Sequence, residues 1–322
     1  METTEIMDLA MRVYQTFGLT LLRASALPAL FCFAALGFWS EFVLPSLQFT
    51  DQPGSVGAQV GEASINLLIG AVIGGPLFLI GLSYATAVTV NLVADFIGGR
   101  VANESGAHAG ARRYLAPIFL LNLRELVQGW SGLIFAFAAF AASALLADTF
   151  PSGSIMPVLF VLVAVFGLLI GLFVLPWVMA RHALAPAAIV LEGLRPGIAV
   201  KRSLELMKGT PWTPSGYGVV VMLYLVEILL LVLIWIGAST SLGLVGIAEQ
   251  SRSLADWPYV GVILQKVLEL FPLFLAIWII IPVWCTTTTL LYYERRIRLE
   301  GYDILALAQE VWRADRQSRF QV

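Results

Sequence analysis

Residues 149–180 read TFPSGSIMPVLFVLVAVFGLLIGLFVLPWVMA, without a single Asp, Glu, Lys or Arg. An α-helix rises about 1.5 Å per residue, so about 20 apolar residues cross a hydrocarbon core roughly 30 Å thick. This stretch is long enough to do so with residues to spare. The same pattern recurs at 63–94, 126–147, 228–248 and 270–293, and a shorter charge-free gap runs over 24–40. The reading is an all-α integral membrane protein with six transmembrane helices, at about 20–43, 66–96, 118–147, 155–180, 216–246 and 268–293.

Composition agrees. The chain is 59% hydrophobic and 12% charged, with a mean hydropathy of +0.86, whereas about a quarter of the residues of a soluble domain are charged. The segments between spans, 181–208 and 294–322 being the longest, are too short to bury a sizeable core alone, so the chain reads as one membrane domain over 1–322. The N-terminus, METTEIMD, is acidic where a cleaved secretory signal would be basic, so the first span is expected to stay in the mature chain. Cys32 and Cys285 have no second Cys or His at ligand spacing and read as packing residues.

The distribution of positive charge gives an orientation. Seventeen of the nineteen Lys and Arg residues fall in the first, third, fifth and seventh connecting segments and their helix ends; the alternate segments hold only Arg252 and Lys266. Positive charge accumulates on the cytoplasmic side of a membrane protein. Both termini are therefore expected in the cytoplasm, with short outer loops at 44–63, 148–155 and 249–257.

Each pair of spans is preceded on that side by a short, partly basic amphipathic segment: 6–17 (IMDLAMRVYQTF), 106–115 (GAHAGARRYL) and 196–208 (PGIAVKRSLELMK). In the first, Ile6, Leu9, Ala10, Val13 and Phe17 form an apolar stripe beside Asp8, Arg12 and Gln15. Such helices lie in the headgroup plane with basic side chains reaching for phosphate, which makes Arg112, Arg113, Lys201 and Arg202 headgroup candidates. The segments mark a threefold unit of interfacial helix plus hairpin, or they simply connect hairpins. Glu205 stands one turn from Arg202 and Lys208, and Glu294 stands four residues from Arg298, both at ion-pair spacing.

Two passages carry a family likeness. Residues 183–209 read ALAPAAIVLEGLRPGIAVKRSLELMKG, and the last span ends in TTTTLLYYERRIRLEGYD over 286–303. Together they resemble the bacterial and archaeal membrane proteins typified by the membrane-spanning domain of glycerophosphoryl diester phosphodiesterases. The resemblance implies a six-span layout. It does not carry over phosphodiesterase activity, because the catalytic barrel of fused members brings histidines and acidic metal ligands, and this chain has only His108 and His182. The Tyr292-Tyr293 pair followed by Arg295, Arg296 and Arg298 also suits an interfacial aromatic belt and inner-leaflet anchor. A further short helix is expected at 303–314.

Polar groups within the spans are the remaining candidates, since ionisable residues there are costly and tend to face protein or water. Glu227 is isolated between charge-free runs and needs a hydrogen-bond partner or a proton. Arg124 and Glu125 stand at the edge of a span, and Asp95, near the inner end of span 2, is placed to pair with Arg124 if the two helices are neighbours. Asn91 and Asn122 can join helices. Gly70, Gly74, Gly75 and Gly81 allow a close neighbour, and Thr286–Thr289 can bond carbonyls one turn back or line a polar path. No phosphate-binding loop, zinc spacing or nucleophile with its base is present, so no catalytic residue, metal or cofactor is expected. Topology explains the arginines, so nucleic acid is not an expected partner. The expected role is a non-enzymatic accessory or scaffold subunit packing against membrane lipids and other membrane proteins; the alternative is a small transporter or lipid-handling protein with a polar cavity around Glu227.

Overall fold

The computed structural model describes residues 3–42, 65–66, 68–100, 103–146, 155–208, 216–244 and 258–301. The expected outer loops, apart from Ile155, and the expected helix at 303–314 lie outside them. The described residues are almost entirely helical: α1 (Thr3–Phe42), a π-helical turn (Gly70–Gly74) leading into α2 (Gly75–Ile97), α3 (Glu104–Leu146), α4 (Met156–His182), α5 (Ala185–Glu192), α6 (Pro196–Met207), α7 (Gly216–Leu244) and α8 (Pro258–Glu300).

Five stretches among them are long and apolar enough to cross a membrane: Asp8–Ser40, Gly70–Ile97, Leu162–Glu192, Val220–Thr240 and Leu270–Glu300. The third expected span, 118–147, falls in α3, which the described residues follow as far as Leu146. α1 is one unbroken helix of 40 residues, so the amphipathic segment 6–17 and the first span are a single element. Part of its stripe packs inward, with Leu9 exposed. Ala10 and Val13 are buried, the Phe17 ring meets Phe96 at 4.7 Å, and the Tyr14 hydroxyl donates to the Ile279 carbonyl of α8 at 3.1 Å. The 106–115 segment is likewise the start of α3, and of the three amphipathic segments only 196–208 forms a helix of its own, α6.

Small residues set the closest helix contacts. A Cβ on Gly132 of α3 would stand 2.7 Å from the backbone of Gly171 in α4, and one on Gly167 would stand 3.2 Å from Ala136. Gly132-x-x-x-Ala136 thus meets Gly167-x-x-x-Gly171, and the two backbones touch as they do at small-residue seams between membrane helices. α1 and α2 approach in the same manner: a Cβ on Gly81 would stand 2.7 Å from the Pro28 carbonyl, and the Trp39 indole donates to the Gly70 carbonyl at 2.9 Å.

The best-buried core lies where the short helices α5 and α6 pack against the long ones. It joins Val13, Val88, Ile118, Leu121, Ile189 and Leu291 from five helices. Helix α5 occupies its centre, with Ala185, Ala187, Ala188, Ile189 and Val190 all buried. Its alanines let α2, α3 and α8 come close, and Gly193 ends it in the left-handed region at φ 67°, which any residue with a Cβ adopts at a cost. Pro196 then starts α6, where a missing N–H is harmless. α4 and α7 are the least enclosed spans, with Phe166, Ile170, Leu229 and Leu233 facing outward.

Candidate functional site

Two polar clusters are built by this fold, one inside the bundle and one at its basic end. Inside, Glu227 of α7 is buried, only 6% exposed, against α8, where the Thr287 hydroxyl stands 3.4 Å from its carboxylate. That is a long contact for hydroxyl and carboxylate. Thr287 is closer, at 3.0 Å, to the carbonyls of Val283 and Trp284. Thr288 and Thr289 bond Trp284 and Cys285 one turn back at 2.8 and 2.6 Å. Thr287, Thr288 and Thr289 therefore satisfy their own helix near Pro282, while the buried Thr286 hydroxyl has no hydrogen-bond partner among the described residues, and the contact of Thr287 with Glu227 is secondary. Cys285 reaches Thr86 of α2 at 3.6 Å, and both cysteines are buried free thiols in one small apolar cluster with Ala85 and Ile281.

The other polar residues inside the spans also act between or within helices. Asn122 of α3 donates to Ser83 of α2 at 2.9 Å. Asn91 donates to the Ala87 carbonyl of its own helix at 2.8 Å, and its amide lies against Gly110 of α3. Asp95 does not meet Arg124. It pairs with Arg100, just past the end of α2, at 3.5 Å. The helices are neighbours, as expected, but Gly98 and Gly99 turn the chain so that Arg100 comes back to Asp95 first.

At the basic end, Glu192, the last residue of α5, is the centre of an ion-pair network. It accepts from Nε and Nη2 of Arg202 in α6, both at 3.3 Å, and from the Tyr292 hydroxyl of α8, and Arg296 stands 3.6 Å away. Glu300 takes the other side of the same arginines, at 2.5 Å from Arg202 and 3.3 Å from Arg296. Two carboxylates and two guanidinium groups thus bind α5, α6 and the end of α8 together. Partial burial alone would lower the pKa of Arg202; the carboxylates of Glu192 and Glu300 outweigh it and hold the guanidinium above its ordinary value. Beside this network Glu294 pairs with Arg298 at 2.5 Å, as their spacing predicts, and with the buried Arg295 at 3.5 Å. Glu205, expected to serve Arg202 or Lys208, is exposed on α6.

Of the seven headgroup candidates, then, Arg202, Arg295, Arg296 and Arg298 are held by carboxylates within the protein. Arg112, Arg113 and Lys201 are exposed, with Arg113 over the Tyr114 ring at 5.8 Å. The half-buried Glu125 and the exposed Arg124 lie side by side on α3. Arg124 comes together with Lys201 around a cleft shared with Arg181 and Arg195. Those last two residues, and Glu192, Tyr292 and Glu300, are functional candidates that sequence reading missed. Arg181 had a usable signal: it is the first charge after the run 149–180 and stands one helical turn from Trp177.

The fold and its charge layout define a multi-pass, all-helical membrane protein. Comparison with protein-family models, with curated proteins and with solved structures gives no match in any of the three.

Proposed function

We propose that this chain is a six-span protein of a bacterial or archaeal cytoplasmic membrane, with both termini inside, acting as a non-enzymatic accessory or scaffold subunit that packs against lipids and other membrane proteins. In this reading the 118–147 stretch of α3 is the sixth span, and α6 lies at the cytoplasmic interface. The likeness of 183–209 and 286–303 to the membrane-spanning domain of glycerophosphoryl diester phosphodiesterases is consistent with that layout, with catalysis left to other chains.

The observation that carries the reading is how the polar groups inside the bundle are used. Glu227, Asn122, Tyr14 and Trp278 all make contacts to another helix, while α4 and α7 turn apolar faces outward. Such a molecule has its polar chemistry committed to holding shape and its free surface suited to lipid or a neighbouring span. The rival reading, a transporter with Glu227 in a polar cavity, needs that acid to meet water, and its burial against α8 weighs the other way.

Purification from native membranes in mild detergent, with mass-spectrometric identification of every chain in the peak, tests the proposal. A second membrane protein at fixed stoichiometry is the expected result. A lone monomer sinks the scaffold reading, and a reconstituted flux abolished by Glu227→Gln would replace it with the transporter.

A further inference from the structure

A cleft of about 690 Å³ opens where α3, α4 and the start of α6 converge, bounded by Arg124, Arg181, Arg195 and Lys201 over an apolar floor that includes Ile198 and Leu204. Its volume is within the range of about 300–1,000 Å³ usual for small-molecule sites. Among the described residues four cations line it and no acid does. Among the described residues none of the four forms an ion pair, whereas Arg202, the next residue after Lys201, is held by Glu192 and Glu300. Arg181 is fixed with its guanidinium 4.3 Å from the centre of the Trp177 ring, and its Nε is buried with no hydrogen-bond partner among the described residues. A buried donor left unmade is costly, and a charged one more so. Four cations sharing one cleft give it an electrostatic preference for an anion.

We infer that this cleft binds the phosphate of an anionic phospholipid headgroup. Phosphate suits it because guanidinium forks bind tetrahedral oxyanions in paired hydrogen bonds. Lipid suits it because of depth: Arg181 directly follows the apolar run 149–180 and Arg124 stands one residue outside Glu125, which bounds the run 126–147, so both lie where headgroups begin. Apolar surface is at hand as well: Ile198 in the cleft is 53% exposed and Trp177, stacked under Arg181, is 55% exposed, giving an acyl chain a surface beside the phosphate. Basic pockets between membrane helices recognise lipid headgroups in this manner. The inference deepens the lipid half of the proposed function and rests on its orientation, not on any protein partner.

The test uses the purified full-length chain in detergent, titrated with phosphatidylglycerol and with phosphatidylcholine, the bound lipid being read by native mass spectrometry. Phosphatidylglycerol is expected to bind about tenfold or more tighter, and the Arg195→Gln/Lys201→Gln pair, on exposed side chains, is expected to erase most of that preference. Arg23→Gln/Arg100→Gln, on exposed side chains, removes equal charge outside the cleft and should leave the preference intact. Should the first pair misfold, Lys201→Glu on the exposed face of α6 gives the same reading. A preference that survives in the cleft variants, or falls equally in the Arg23/Arg100 control, overturns the site. Displacement of phosphatidylglycerol by inorganic phosphate at matched concentration assigns the cleft to a soluble anion and overturns the lipid. Co-purification of a protein partner is expected to be unchanged in these variants, so this site and the scaffold reading fail separately.

Discussion

Glu192 shows how one side chain can hold three helices at once. It takes bonds from Arg202 and Tyr292 and stands beside Arg296, and its removal leaves partly buried donors on α6 and α8 without their acceptor. Hydrogen bonds to charged groups are worth about 1.5–3 kcal/mol, so Glu192→Gln is expected to destabilise the protein by about 1–3 kcal/mol, read as a lowered thermal midpoint in detergent. Glu205→Gln, on the exposed face of α6, should change it by no more than about 0.5 kcal/mol. Equal shifts in the two variants would mean that the network holds nothing. At this scale the sequence was legible where partners are local. The Glu294–Arg298 pair and the backbone-bonded threonines follow from a spacing of one helical turn. It was not legible for Arg202, because Glu300 comes from 98 positions away, nor for Asp95, whose partner depends on a glycine turn that redirects Arg100.

At the scale of the element, the α3–α4 hairpin is the most exacting contact. With Gly132 against the Gly171 backbone there is no room for a branched side chain, and the neighbour that would have to move is main chain. Gly132→Val should therefore destabilise by about 1–3 kcal/mol as overpacking does. Gly218→Val in α7, where nothing stands within 4 Å of a Cβ, should be much milder. Comparison of the two by thermal unfolding decides the point, and equal tolerance would show that the helices do not meet there. Helix α5 carries the other lesson. Its sequence, APAAIVLE, gives no sign of that role: eight residues are too few and too uniformly apolar to show a face. What makes it the centre of the core is that four other elements bring their inner ends to it. The amphipathic stripe of 6–17 was legible as a stripe, but whether it met lipid or protein depended on α2 and α8 packing over it.

Over the whole molecule, charge-free runs and basic connecting segments imply spans and a sidedness. Arg12→Cys, Arg113→Cys and Glu205→Cys place thiols on exposed residues of the expected cytoplasmic side, and the native Cys32 and Cys285 are buried and give little background. A membrane-impermeant thiol reagent is expected to label all three only after the membrane is opened; labelling in intact cells would reverse the orientation. The sequence by itself determined that the chain is helical and lives in a bilayer, because hydrocarbon admits only apolar runs whose backbone bonds are made internally. The tertiary structure alone decided that α5 is core, that Arg202 and Arg296 are bound to Glu192 and Glu300, and that Arg124, Arg181, Arg195 and Lys201 share one cleft. Lipid tails are as apolar as leucine, so no hydrophobic drive selects one helix neighbour over another. That choice falls to close packing and polar contacts between residues far apart in the chain.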